Sequence, residues 1–238
     1  MKFFNLLIHL IFGLILSAQP SIKEILDSPF ASNLTISRDG KTLAWVDNIA
    51  GERNIFVATG EQFSSVYQLT KYVGDQGISL SNLKFTQNDN KLIYVRGNTK
   101  NEVGEPANPA LLQEDTNEAI FIQSLNKDDK IKISNGSQPN ISHDGFTIAF
   151  VNEDQIWTVS LSDSIYQPKQ LFNIRGSQFD INWSPNDEYL AFTSKRDDNS
   201  YIGIYSFKDK KVVFMDPSFD LDFSPEWSPN GKKVAFIR

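Results

Sequence analysis

The chain has 238 residues, of which 40% are hydrophobic and 12% aromatic. It can therefore bury a core of its own, and extensive disorder is not expected. The formal net charge is −6, and no basic stripe interrupts the even scatter of lysine and arginine, so nucleic acid is excluded as an expected partner. The chain contains no cysteine, so neither a disulfide nor a lipid-modified cysteine can contribute.

The N-terminal residues have the layout of a secretory signal peptide. Lys2 supplies a positive start, residues 3–16 are mostly apolar, and small residues end the segment at Ala18. A transmembrane anchor is the alternative, but it needs about 20 apolar residues, and this run is shorter and carries Asn5 and His9. We predict that residues 1–18 are a signal peptide and residues 19–238 an exported domain. The mature chain would be periplasmic or secreted, with no membrane span after cleavage.

A nine-residue phrase that occurs five times is the most informative feature of the sequence. Each copy begins with Ser or Thr, continues through a polar turn that tolerates positive φ, and ends on an apolar pair closed by an aromatic residue. This pattern indicates a hairpin turn leading into a buried strand. The copies recur at intervals of roughly 40 to 55 residues: "SRDGKTLAW" from Ser37, "TQNDNKLIY" from Thr86, "SHDGFTIAF" from Ser142, "SPNDEYLAF" from Ser184 and "SPNGKKVAF" from Ser228.

Further strands are predicted around each phrase, in chain order. The first unit has strands at 34–36, 55–58 and 66–69 besides the strand in the phrase, and the second has them at 83–85, 119–123 and 130–133. The third unit adds 156–159 and 170–172, and the fourth adds 181–183, 202–206 and 212–215. Four strands at this period are typical of a β-propeller blade.

The predicted fold class is therefore all-β, a partial β-propeller with four complete four-stranded blades and the first hairpin of a fifth. A sandwich gives no reason to reuse one turn phrase five times, and helical repeats need an i, i+3, i+4 apolar spacing that is absent. Because propellers close into rings that leave no exposed sheet edge, we also expect the chain to be a fragment of a longer protein.

Four linked segments resemble the N-terminal propeller of the prolyl oligopeptidase family of serine peptidases. They are "SPFASNLTISRDGKTLAWVDNIAGERNIFVA", "QLTKYVGDQGISLSNLKFTQNDNKLIYVRG", "NPALLQEDTNEAIFIQSL" and "WSPNDEYLAFTSKRDDNSYIGIYSF". The nearest branch is that of secreted bacterial enzymes related to acylaminoacyl peptidases and dipeptidyl peptidase IV. The resemblance runs from about residue 28 to the end of the chain. Single phrases such as "SPNGKKVAF" are shared with TolB-like periplasmic propellers.

The resemblance implies a propeller that caps a C-terminal α/β-hydrolase domain, which is missing from this chain. The cap would gate and position a peptide substrate, and the hydrolase would carry a Ser-Asp-His triad. No G-x-S-x-G nucleophile elbow occurs here. Of the two histidines, His9 lies in the signal peptide and His143 occupies a variable position of the repeated turn. We therefore predict no catalytic residue and no cofactor. The alternative is a TolB-like propeller that binds protein.

The long connection at residues 97–118 contains the first candidates for substrate contact. Connections of this length inside a compact domain are either functional or mobile. In dipeptidyl peptidase IV relatives, a propeller insertion presents paired glutamates to the free amino group of the substrate. Here Glu102, Glu105, Glu114, Asp115 and Glu118 lie on a comparable connection, but no adjacent pair of glutamates is present.

Arg196, in "SKRDDNSYIG", is the remaining candidate, because its guanidinium could pair bidentately with a carboxylate. The competing interpretation is a hairpin linker in which it bridges to Asp197 or Asp198. The acidic residues of that segment and of "DLDFSPE" are oxygen ligands in type, but they lack the spacing of a calcium loop. We therefore predict no metal site.

Overall fold

The computed structural model describes residues 22, 24, 28–113, 116–163 and 165–238. The signal-peptide prediction lies outside these residues. Eighteen strands fall into four four-stranded antiparallel sheets and one two-stranded sheet within the described part. This arrangement confirms the prediction of a partial propeller with four complete blades and the first hairpin of a fifth. Among the described residues, no helix is both long enough and apolar enough to cross a membrane.

The strands follow chain order within each blade. Blade 1 consists of β1 (Phe30–Ile36), β2 (Leu43–Ile49), β3 (Glu52–Thr59) and β4 (Ser65–Gln68), with a short 3₁₀ helix at Glu61–Phe63. Blade 2 consists of β5 (Leu80–Phe85), β6 (Lys91–Arg96), β7 (Ala119–Ser124) and β8 (Ile131–Asn135). Blade 3 consists of β9 (Ser137–Ile141), β10 (Thr147–Asn152), β11 (Gln155–Ser160) and β12 (Lys169–Gln170). Blade 4 consists of β13 (Ser177–Trp183), β14 (Tyr189–Arg196), β15 (Asn199–Ser206) and β16 (Lys211–Met215), and the two strands of blade 5 are β17 (Phe223–Trp227) and β18 (Val234–Ile237).

The repeated phrase folds as a hairpin turn because its first residue bonds twice within the turn. In blade 1, the Ser37 hydroxyl donates to Asp39 Oδ1 at 2.7 Å and accepts the backbone N–H of Thr42 at 2.9 Å. In blade 4, Ser184 does the same with Asn186 and Tyr189. This explains why the phrase starts with a hydroxyl residue and has Asp or Asn two places later.

Apolar side chains fill the wedges between neighbouring blades. One core cluster joins blades 1 and 2, a second joins blades 2 and 3, and a third joins blades 3 and 4. Tyr94, Phe150 and Phe192 are fully buried at the centres of these clusters, and burying a side chain of this size stabilises the fold by roughly 1.5–3 kcal/mol. The inner strands also contact one another, with β1 against β5 and β13 against both β9 and β17.

The first strand of every blade contains a β-bulge, and its residue at positive φ is polar. The register shift appears in all five blades. At two of the bulges the side chain bonds to the bulge residue of the next blade: Gln138 Oε1 accepts the N–H of Asp180 at 3.0 Å, and Asp180 Oδ2 accepts the N–H of Ser224 at 3.0 Å. We call this set the bulge ladder; its members are Asn33, Asn82, Gln138, Asp180 and Ser224.

Candidate functional site

The two ends of the blades differ in composition. One end carries the turns formed by the repeated phrases, and we call it the turn face. The opposite end carries the turns between second and third strands, the connections between blades and residues 97–118, and we call it the insertion face. Loops of this kind, positioned by a rigid scaffold, are where propeller-type folds present ligand contacts.

A cavity formed by the described residues opens on the insertion face. Its volume is about 620 Å³, within the range of roughly 300–1,000 Å³ that is usual for ligand sites. Three blades contribute to it: residues 98–104 and 117–118 from the blade 2 connection, 151–154 from blade 3, and 177–179 from blade 4, with 135–138 between blades 2 and 3.

The blade 2 connection is held in place by one buried asparagine. The Asn98 side chain donates to the carbonyls of Gly77 and Ala107 at 2.8 and 2.7 Å and accepts the N–H of Ser79 at 3.1 Å. Further along, Asn101 Oδ1 accepts the N–H groups of residues 103 and 105 and closes a tight turn. These bonds position Glu102, which follows Asn101, at the cavity wall.

Four carboxylates line this cavity, from Glu102, Glu118, Glu153 and Asp154. Lys100 adds one positive charge to the same lining. Glu118 is half-buried, and this burial raises the pKa of its carboxyl group, while a hydrogen bond from Thr99 partly offsets the rise. The cavity is therefore acidic and rich in hydrogen-bond acceptors.

Gln178 supplies an unusual acceptor in the same cavity. It is 1% exposed, and its amide nitrogen donates to the carbonyl of Gly176 at 2.8 Å. Its Oε1 has no hydrogen-bond partner in the described part of the chain. A buried polar atom without a partner costs stability, so such atoms often mark a place where a ligand or water completes the bonding.

The predicted substrate-contact residues have different positions. Glu102 lines the cavity, whereas Glu105 does not and enters the turn through its backbone N–H. Glu114 and Asp115 lie outside the described residues. Arg196 is the last residue of β14, and its guanidinium stacks on Phe214, with 4.6 Å from Cζ to the ring centroid.

Asp197 and Asp222 each pair with an arginine other than Arg196. Asp197 pairs with Arg175 at 3.0 Å rather than with Arg196. Asp222 is completely buried and accepts two hydrogen bonds from the guanidinium of Arg238, at 2.8 and 3.1 Å. No group of three or more residues that could hold a metal ion occurs among the described residues.

His143 lies on the turn face, away from the cavity. Its Nδ1 is 3.1 Å from Asp187 Oδ1, and the side chain is 54% exposed. The neighbouring Ser142 hydroxyl donates to Asp144 instead. In the part of the chain that the structure describes, no hydrogen bond joins this imidazole to a serine hydroxyl, so the arrangement needed for nucleophile activation is absent there.

Sequence reasoning named Glu118 among the acidic residues of the connection, but it missed Gln178 and the bulge ladder. Gln178 lies near the start of a strand that carries no motif. The ladder did leave a signal: the residue four places before each Ser/Thr is polar in all five copies.

Comparisons with known proteins identify proteins of similar fold, but they do not assign the chain to a family. No family model matches the chain, and no curated protein matches it. Among solved structures, TolB from Acinetobacter baumannii aligns with a TM-score of 0.56 and 17% identity, covering 87% of this chain and 48% of that one. A putative TolB from Agrobacterium tumefaciens aligns with a TM-score of 0.53 and 16% identity, covering 87% and 69%. An oligogalacturonate lyase in complex with manganese aligns with a TM-score of 0.56 and 12% identity, covering 84% and 56%.

The chain thus spans about half the length of the first of these structures. At identities this low, the likeness extends to the fold alone. The chain has the β-propeller fold of TolB-like proteins.

Proposed function

We propose that the chain is a non-catalytic binding propeller that holds an extended polypeptide on its insertion face. The observation that carries this proposal is the acidic cavity to which three blades contribute. It is large enough for several side chains of a ligand. The one imidazole of the described residues lies on the opposite face, so it cannot exchange a proton with a ligand in this cavity.

The chemistry of the cavity favours a ligand that donates hydrogen bonds and carries positive charge. Carboxylates of Glu102, Glu118 and Asp154 and the free oxygen of Gln178 are acceptors. The amino terminus of a peptide is a matching cation with three donors, and its backbone N–H groups supply more. Free peptide termini are therefore the expected ligands.

More specifically, we propose that the chain is the propeller of an exported serine peptidase of the prolyl oligopeptidase family. The propeller would gate and position peptide substrates for a separate α/β-hydrolase domain. The linked phrases quoted above support this form, and so does the position of Glu102 in the cavity. The purified chain alone should then release no product from a chromogenic dipeptide, and measurable turnover would contradict the proposal.

A TolB-like module that binds a protein partner is the second candidate. The likeness in fold to two TolB structures favours it. The reading frame after codon 238 separates the two forms. Further blades followed by G-x-S-x-G, Asp and His support the peptidase form, whereas a stop after one or two blades supports the binding module.

Peptide titration tests the shared part of the proposal. A pentapeptide with a free amino terminus should bind the chain at least roughly tenfold more tightly than its N-acetylated form, because acetylation removes the cation. Glu102→Gln and Glu118→Gln should each reduce this preference, and Glu61→Gln, on the turn face of blade 1, is the matched control. Equal binding of the two peptides by calorimetry would contradict a cation-binding cavity.

A further inference from the structure

On the turn face, a carboxylate from the next blade closes two of the repeated turns. Asp89 of blade 2 accepts the backbone N–H groups of Arg38 and Asp39 at 3.1 and 3.2 Å. Asp187 of blade 4 accepts those of His143 and Asp144, both at 2.8 Å. We call each of these pairs a carboxylate clip; in each, the fourth residue of one phrase binds the second and third residues of the preceding phrase.

The junction between blades 2 and 3 has the donors of a clip but not its carboxylate. Its fourth phrase residue is Gly145, which has no side chain to offer. Within the described residues, the backbone N–H groups of Gln87 and Asn88 have no hydrogen-bond acceptor. The junction between blades 4 and 5 also has a glycine, Gly231, but there the second residue is Pro185, which lacks an N–H group. Blades 2 and 3 thus form the one described junction where two donors face no carboxylate.

A pocket of about 360 Å³ lies beside these two donors. Lys91, at the start of β6, is half-buried and belongs to the lining of this pocket. Lys91 also lies near Asp129, whose pKa is lowered by hydrogen bonds from Ser124 and by the lysine charge. The remaining walls are largely apolar: Ile122, Phe146, Leu161 and Tyr166.

Phe146 is the exception among the five copies of the phrase. Its position is occupied by Lys41, Asn90, Glu188 and Lys232 in the other blades, as expected for a turn residue that faces solvent. Phe146 is 59% exposed, so its ring is not needed to fill a wedge between blades. As a lining residue of the pocket, Phe146 offers a large apolar ring against which a ligand can pack.

We propose that this pocket binds a carboxylate that carries an adjacent apolar group, such as the C-terminal residue of a peptide. The carboxylate accepts the N–H groups of Gln87 and Asn88, which are the equivalents of the donors that Asp89 and Asp187 bind at the other junctions. Lys91 supplies the countercharge, and the apolar group packs against Phe146. The site is on the face opposite to the acidic cavity and does not depend on it.

Amide NMR shifts on titration with N-acetyl-L-phenylalanine test this site directly. The backbone amides of Gln87, Asn88 and Gly145 should shift together and saturate. The corresponding N-acetyl-phenylalanine amide should bind at least roughly tenfold more weakly, because it lacks the charged acceptor. Equal binding of acid and amide, or saturation without shifts at Gln87 and Asn88, would overturn the proposal.

Three variants locate the interaction. Lys91→Gln removes the countercharge and should weaken binding of the acid about tenfold or more. Phe146→Lys should weaken binding about tenfold or more while keeping the fold, since lysine occupies the same position in blades 1 and 5. Lys232→Gln, in the turn of blade 5, is the matched control and should leave binding unchanged. If it weakened binding as much as Lys91→Gln did, the assignment would be wrong.

Two sources of this chemistry are separable in the same assay. A pentapeptide ending in Phe that binds tenfold more tightly than N-acetyl-L-phenylalanine identifies a peptide C-terminus as the ligand. Equal affinities identify a small free acid. Either result requires the carboxylate, so both support the site.

Discussion

Asp187 offers the most direct test of how neighbouring blades are coupled. Asp187→Gly deletes the carboxylate that clips blade 4 to the turn of blade 3, and it leaves the backbone free to keep its φ of 57°. Glycine is already the residue at this turn position in three other copies, as Gly40, Gly145 and Gly231. The substitution therefore removes an interaction without imposing a new conformation.

The structure sets the size of the expected loss. Asp187 accepts two backbone N–H groups at 2.8 Å and also lies 3.1 Å from the exposed imidazole of His143, and its side chain is 17% exposed. Hydrogen bonds to charged groups contribute roughly 1.5–3 kcal/mol each, but His143 and Asp144 are exposed, so water can replace the lost acceptor. We therefore use about 1 kcal/mol per bond. The greater unfolded-state entropy of glycine is offset by relief of the left-handed strain at Asp187, which gives a net loss of about 2 kcal/mol.

Urea unfolding followed by tryptophan fluorescence measures this loss as a change in midpoint at constant m-value. Asp89→Gly is the paired variant: its bonds are longer, at 3.1 and 3.2 Å, and we expect it to cost about half as much. A loss below about 0.5 kcal/mol for Asp187→Gly, or a larger loss for Asp89→Gly, would refute the reasoning.

Two further predictions concern the insertion face. Because burial raises the pKa of Glu118, the folded state binds more protons than the unfolded state, and its stability should fall as pH rises from the ordinary glutamate pKa of 4.5 through the raised one. Glu118→Gln should remove that fall, so the variant should gain stability relative to the parent above this range in a series of unfolding curves; an unchanged pH slope would contradict it. Gly136→Ala should destabilise the fold by about 3 kcal/mol, since its φ is 134° and an added Cβ would overlap the carbonyl oxygen of Val151. Gly40→Ala, where nothing surrounds the new methyl group, should cost only about 1 kcal/mol, and similar costs for the two variants in thermal melts would count against the steric argument.

The strands were predictable from the sequence because the same pattern, a polar turn followed by apolar residues, occurs five times. The predicted segment 119–123 falls within β7, and 202–206 falls within β15. The limits of the long connection were predictable as well, since β6 ends at Arg96 and β7 starts at Ala119. The bounds of the outer strands were predicted less exactly: we expected a strand at 170–172, but β12 covers Lys169–Gln170.

The cavity was not predictable because it depends on contacts between distant parts of the chain. Asn98 is one polar residue among many in the connection, and only its three hydrogen bonds to other loops show that it positions Glu102. Gln178 reads as an ordinary strand residue, and its free oxygen follows from the packing around it. The positive φ at bulge residues such as Asp180 likewise depends on register with the second strand, which sequence patterns do not specify.

The bulge ladder has a consequence for how the protein comes apart. Gln138 bonds to the backbone of Asp180, and Asp180 bonds to that of Ser224, so each link joins only adjacent blades. The stability that these bonds contribute is then a sum of interactions between neighbouring blades. Opening of one blade should therefore favour opening of the blade next to it. Among the inner strands, backbone amides should exchange first in β17, then in β13 and last in β9.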